Sequence, residues 1–355
     1  MTCPNFARLL GISMVAAGYV WAQSAPLRIK PPKKEKEPET QTLPLPPEPP
    51  AAVIAETDKL AFHISPLSAK GLLTQQVHDA LKALDRANGG ATFVKLRAFV
   101  AGTGDMRRVA TIVAEELSDR KAPLPVVTTI QVGALPMEGA QVVIESISAG
   151  KKTLNPYGLA FFSAQRAPEA REAVTKLAAA AGSAGAAMVE ATCFLSGLDQ
   201  LQNVRAAALA AFPAAALNVV QPTRLAVEPE AACEGIGRLQ QRPKSPVEFL
   251  DAGGTAVAKA RLIFTGAQLA FENRDQDLRL AYDRLGRALE TMKAGYADTL
   301  VMSVYSLSRE TANKATALAP EFLGRSAHPW GSTQIVEGLP SLDATVGIEL
   351  VAAGP

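Results

Sequence analysis

The sequence predicts an α+β fold made of one sandwich module written three times. Three observations predict it. Leu60, Leu159 and Leu262 recur at a spacing of roughly a hundred residues, each near a short apolar strand. A strand with a glutamate two residues before an aliphatic residue recurs as Glu145/Ile147, Glu234/Ile236 and Glu349/Val351. Each segment also repeats one order of elements: strand, helix, strand, helix, strand, strand. Two helices per unit cover one sheet face, and three free sheet faces can close on each other about a threefold-like axis. Burial of those faces, at roughly 25 cal/mol per Å², is then the main stabilisation.

The first unit (58–151) begins with the strand Leu60–Ile64. Val77, Leu81 and Leu84 share one face of a helix that Asn88-Gly89-Gly90 stops. In the strand over 92–101, Val94, Leu96, Ala98 and Val100 alternate with Lys95, Arg97 and Phe99. Asp105 is a good N-cap for a helix carrying Met106, Val109, Ile112 and Val113 on one side. Strands over 126–132 and 141–148 close the unit, with Leu135-Pro136 between them. The second unit (152–242) repeats this with strands over 159–165, 188–195, 217–221 and 231–239. Its first helix face is Ala170, Ala173, Val174 and Leu177, and its second helix runs from Asp199 to Phe212-Pro213. The third unit (243–355) leads with a strand over 257–265. A helix carrying Leu278, Ala281, Leu285 and Leu289 follows, then a strand with Leu300, Met302 and Val304, and a helix over 312–322. Strands at 333–336 and 346–352 flank Leu339-Pro340.

Composition narrows the function classes. A net charge of +2 gives no general attraction to nucleic acid or anionic membranes. Three cysteines and three histidines lie scattered, without zinc-type spacing. No metal and no cofactor is expected. His63, His78 and His328 lack a triad pattern and read as structural or surface residues. Cys193 and Cys233 fall on the middle and last strands of the second unit. They form a disulfide if their Cβ atoms approach about 4 Å, and are otherwise two buried thiols.

Arg8 followed by the apolar run 9–20, then Val20-Trp21-Ala22, reads as a signal peptide over 1–22. This implies a periplasmic or secreted protein, off the membrane after cleavage. The Pro/Lys/Glu-rich stretch 23–57 buries too little apolar surface to fold and reads as a disordered tether.

Thr265-Gly-Ala-Gln268, the Leu-Pro pairs at 135–136 and 339–340, and the Glu-bearing closing strands resemble the Rid family, also called the YjgF or L-PSP endoribonuclease family. The resemblance covers nearly all of 58–353 as three degenerate copies, the second the most diverged. It implies a chorismate-mutase-like fold. Family members usually form homotrimers with small-molecule clefts between subunits, so the resemblance implies a pseudo-trimer within one chain, monomeric in solution. Active members are enamine/imine deaminases, hydrolases that release ketoacids and ammonia. They hold the substrate carboxylate with an arginine eight residues before the Leu of Leu-Pro. That position is Val127 in the first unit, Gly331 in the third, and Leu217 (or Ala215) in the second. Arg224 lies nearby but matches another position. Arg97, Arg224 or Arg325 would have to supply a cation from elsewhere.

The family glutamate matches Glu145, Glu234 and Glu349, which as buried carboxyls at a cleft would place water or move a proton. A plain strand position paired with a local cation is the competing reading. Ser163 and Gln165 match the family's Ser-Gly-Gln corner, as do Gly266 and Gln268. The expected function is a small-metabolite binder at inter-unit clefts. The alternatives are a deaminase using a Glu-positioned water and a non-catalytic protein-interaction scaffold. No basic stripe with interleaved aromatics supports the ribonuclease label.

Overall fold

The computed structural model of the chain describes residues 45–102, 106–224, 230–251, 253–324 and 330–355. The expected leader, the tether up to residue 44, Asp105, Arg325 and His328 lie outside the described residues. Strand β1 (Ala52–Glu56) precedes β2 (Leu60–Ile64), α1 (Leu73–Asn88), β3 (Thr92–Ala101), α2 (Met106–Asp119), β4 (Val126–Val132) and β5 (Val142–Ala149). Next come β6 (Leu159–Ala167), α3 (Ala170–Ser183), β7 (Ala186–Leu195), α4 (Leu201–Ala211), β8 (Ala216–Val220) and β9 (Ala231–Leu239). The rest of the chain forms β10 (Val247–Leu250), β11 (Gly254–Val257), β12 (Arg261–Thr265), β13 (Gln268–Phe271) and α5 (Asp275–Thr291). It ends with β14 (Thr299–Ser306), α6 (Arg309–Leu323), β15 (Trp330–Ile335) and β16 (Ala344–Ala353).

The helices form where the 3.6-residue period demands them. Val77, Ala80, Leu81 and Leu84 make the buried stripe of α1, and Gly89 ends it in the left-handed region at φ 57°. Leu278, Ala281, Leu285 and Leu289 do the same for α5. Ser308 caps α6 by accepting the Thr311 N–H at 3.1 Å.

The sheets run β2-β5-β3-β4, β10-β11-β6-β9-β7-β8 and β1-β12-β16-β14-β15, with β13 also on β16. Each contains one four-strand order: first, last, middle, then a fourth strand parallel to the middle one. The registers agree. Leu60, Leu159 and Leu262 pair with Ala149, Arg238 and Ala353, four residues beyond the three glutamates. Each middle strand breaks register at the same place: between Phe93 and Lys95, Met188 and Glu190, Thr299 and Val301. Such a bulge re-aims the side chains that follow it. Here these are Lys95, Glu190 and Val301.

Two expected boundaries shift. The tether expected through residue 57 ends earlier, because Ala52–Glu56 is a strand paired antiparallel with β12. The third unit, expected from 243 with a strand over 257–265, loses its opening to the second sheet. Gly254–Val257 pairs with β6, and β10 pairs with β11. In both sheets the first strand would otherwise present open backbone groups; the segment ahead of the first unit covers β12, and the segment ahead of β12 covers β6.

Helices cover the outer face of each sheet in three separate apolar cores. The inner faces meet each other in two further apolar clusters, each drawing on all three sheets. One holds Phe99, Phe194 and Tyr305, and the other Phe62, Phe161 and Phe264. The three glutamates lie between these layers, because Phe62, Phe161 and Phe264 pair with the aliphatic residue two positions beyond each of them.

Cys193 and Cys233 are direct register partners on β7 and β9, with Cα atoms 4.1 Å apart, and are joined by a disulfide. For a sequence separation of 40, loop-closure entropy gives about 4 kcal/mol of stabilisation. In denaturant, both cysteines are expected to escape thiol labelling until reductant is added. Labelling of both without reductant would show two free thiols.

Candidate functional site

The polar layer is built by strand parity. On β3, Leu96 and Ala98 belong to the helix-side core, so Lys95 and Arg97 point to where the sheets meet. Register matches Arg97 with Thr192 and Ser303, opposite Glu145, Glu234 and Glu349 respectively. It likewise matches Lys95 with Glu190 and Val301, opposite Ile147, Ile236 and Val351. The fourth strands contribute Thr128, Asn218 and Ser332 at one shared register.

Arg97 is the hub. Its Nε donates to Glu145 Oε2 at 2.5 Å, and its Nη1 donates to Glu234 Oε1 and to Tyr305 Oη, both at 3.0 Å. It therefore binds an acidic or hydroxyl group from all three sheets. Tyr305 Oη passes its own proton to Glu349 Oε1 at 3.0 Å, and Lys95 Nζ reaches Glu349 Oε2 at 2.8 Å. Burial works against the Arg97 charge, but Glu145, Tyr305, Glu234 and Glu349 hold its pKa well above the ordinary guanidinium value. Burial also pushes Glu349 up, and Lys95 with Arg97 outweigh it, leaving that carboxyl below the usual range. Glu190 differs. Burial first, then the Glu145 carboxylate, push it up to about 8.

Two of the three seams between sheets are closed by a glutamate reaching the next sheet's fourth strand. Asn218 Nδ2 donates to Glu145 Oε1 at 2.7 Å, and Thr128 Oγ1 donates to Glu349 Oε2 at 2.6 Å. At the third seam the matching pair is Glu234 and Ser332. Among the described residues these two form no hydrogen bond; Ser332 Oγ accepts the Ala164 N–H at 3.0 Å instead. A cavity of about 90 Å³ lies there and runs to the centre. Its cause is side-chain size. Where the first sheet projects Lys95 and Arg97, the third projects only Val301 and Ser303. The carboxyls of Glu145, Glu190, Glu234 and Glu349 line its polar side, and Phe161, Phe162 and Phe264 its apolar side.

Of the residues singled out from sequence, Arg97, Glu145, Glu234, Glu349 and Ser163 come together at this cavity. Val127, Leu217, Gly331, Gln165, Gln268 and Arg224 do not line it. Val127, Leu217 and Gly331 do share one register, opposite Leu96, Ala191 and Met302. Those partners belong to the helix-side cores, so strand parity turns this position away from the centre. At Gly331 a Cβ would come within 2.5 Å of the Met302 carbonyl oxygen. Gln165 Nε2 donates to the Ser163 carbonyl, and Gln268 pairs with Ile348 on β16. Arg224 is exposed, its backbone N–H donating to Glu337. Of the two described arginines proposed to replace the missing clamp, Arg97 reaches the site, where it is committed to carboxylates. Lys95, Glu190 and Tyr305 were not picked out as site residues. The polar half of the alternation on β3 was the signal for Lys95.

No family model matches the chain, and no curated protein matches it. Solved structures match in part. A member of the YjgF/YER057c/UK114 family from Mycobacterium tuberculosis is 19% identical, covering 26% of this chain and 78% of that one, with a TM-score of 0.25. A YjgF-family member from Neisseria meningitidis is 14% identical over 28% of this chain and 84% of that one, TM-score 0.25. RidA from an Antarctic Psychrobacter species is 15% identical over 26% and 80%, TM-score 0.24.

Proposed function

We propose that this chain is a Rid-like protein whose three modules close as a single-chain pseudo-trimer, binding one small metabolite in the central cavity. The shared strand order, the three bulges at one register and the two apolar clusters drawn from all three sheets support the closure. The observation that carries the binding reading is the cavity itself, which lies where Val301 and Ser303 stand in place of the long Lys95 and Arg97 of the first sheet. A thermal-shift screen of small metabolites tests it. A ligand at a hundred times its dissociation constant adds about 2.7 kcal/mol of stability. Val301→Phe, which fills the space, is expected to abolish any such shift. A shift that survives this substitution places the ligand elsewhere.

A single specific observation favours a second reading. Glu190, with its carboxyl pushed up to about 8, is suited to give and take protons near neutrality. In imine hydrolysis it would protonate the C=N nitrogen while Glu234 orients water. The water oxygen bonds to carbon and one water proton restores Glu190 by way of Glu234; the proton left on that oxygen then passes to nitrogen as the C–N bond breaks, and ketone and ammonia leave. Ammonia release from small imines that falls to the buffer rate in Glu190→Gln supports this; equal rates in the two proteins eliminate it. Monomeric behaviour is part of the main proposal, and a sedimentation mass three times that of the chain would overturn it. Export rests on residues 1–22, and the N-terminal sequence of the protein recovered from the periplasm or medium tests it. No helix among the described residues is long and apolar enough to cross a membrane.

A further inference from the structure

We propose that the central cavity takes a small organic cation, a compact amine whose ammonium group sits at Glu190 and whose carbon end packs on Phe161 and Phe264. This rests on the reading of the cavity as the ligand site. The first support is the state of Glu190. It is 6% exposed and lines the cavity. Its Oε1 has one hydrogen-bond contact, with Thr192 Oγ1 at 3.4 Å. Thr192 has a single hydroxyl proton, and that proton is engaged more closely by Glu145. Among the described residues, Glu190 Oε2 has no hydrogen bond and Glu190 forms no ion pair. A buried carboxyl without a donor or cation, aimed into a cavity, is an acceptor awaiting a partner.

The second support is the charge balance. Lys95 and Arg97 face Glu145, Glu190, Glu234 and Glu349, so two cations stand against four carboxyl groups. Lys95 is paired with Glu349, and Arg97 with Glu145 and Glu234. Even with Glu190 protonated, one negative charge stays uncompensated among these residues. An anionic ligand would meet carboxylates whose cations are already taken. A monocation offsets the excess. The Arg97 Nη2 can still donate to a hydroxyl or carbonyl oxygen on the ligand, but it brings no unmatched charge. The phenyl rings suit the same ligand, since they favour both alkyl groups and a nearby cation. Size follows from volume. Benzene occupies a cavity of about 150 Å³, so this one, of about 90 Å³, holds roughly four non-hydrogen atoms.

Calorimetric titration of the full chain with isobutylamine, isobutanol and isobutyrate at neutral pH tests this. Isobutylammonium is expected to bind at least about tenfold more tightly than isobutanol, with isobutyrate weakest. Glu190→Gln, which removes the carboxyl that meets the ammonium group and leaves the remaining excess charge, is expected to reduce the preference for the amine over the alcohol severalfold. Val301→Lys puts an ammonium group in the third sheet at the position of Lys95 in the first. It is expected to abolish amine binding, and it decides the matter should Glu190→Gln not yield folded protein. Isobutanol or isobutyrate binding as tightly as the amine overturns the charge inference and leaves the cavity reading standing. So does an amine preference that is undiminished in Glu190→Gln, or amine binding that survives Val301→Lys. Binding of none of the three probes overturns both.

Discussion

Arg97→Met is expected to lower the stability of the chain by about 3–5 kcal/mol at neutral pH. Methionine reproduces the apolar stem of arginine and stops short of the guanidinium, so most packing along the stem is kept. What is lost is the cation that Glu145 and Glu234 share. Glu349 keeps Lys95 and Thr128, and Tyr305 loses one donor. Removing one partner of a buried ion pair leaves the other with its full desolvation cost. The orphaned carboxyls would therefore take up protons. The deficit relative to wild type should shrink as pH falls, because protonation removes the unpaired charge. Adding Glu145→Gln and Glu234→Gln to Arg97→Met should recover much of the loss. Urea unfolding of the wild type, the single and the triple variant measures all three effects. A single-variant loss below about 1 kcal/mol, in the range of an exposed ion pair, would mean that Arg97 does not hold the three sheets together.

Glu190→Gln is expected to do the opposite. The folded-state pKa of Glu190 is raised from 4.5 to about 8, by burial and by the Glu145 carboxylate. Between those values the folded chain keeps a proton that the unfolded chain releases. Stability therefore falls as pH rises through that window and levels off above about 8. Glutamine does not titrate. Relative to wild type, the variant should be near neutral in stability below the window. Above it, the variant should be more stable, by an amount on the order of a few kcal/mol. The difference between the two chemical-denaturation curves cancels every titrating group that does not interact with Glu190, and reports this carboxyl together with its neighbours Glu145 and Glu234. A difference that stays flat with pH would mean Glu190 is not held as the neutral acid.

Sequence and structure agree most closely where a signal is local. The stripes on α1 and α5 follow from helical spacing, and the stop at Gly89 from its tolerance of positive φ. The recurring leucines and glutamates fall at equal registers, as do Val127, Leu217 and Gly331. Orientation was harder to read. Alternation on β3 separates Leu96 and Ala98 from Lys95 and Arg97, yet a period of two does not say which face meets solvent. Here both faces are buried, and the polar one meets two other sheets. Glu190 was hidden further, because the bulge after Met188 resets the parity of β7. Ala52–Glu56 and Gly254–Val257 are short strands whose partners lie on first strands elsewhere in the chain, so no local pattern announces them. The cavity follows from what the third sheet lacks at Val301 and Ser303. That is evident only once the three middle strands are placed in one register.

The cavity predicts one binding site where the three sheets meet, in place of three sites at their seams. The number of isobutylamine molecules bound per chain, by equilibrium dialysis of protein sedimenting as a single chain, tests this most directly. One per chain, lost in Val301→Phe, is the expected result. Three equivalent sites per chain, or one that persists in Val301→Phe, would contradict it.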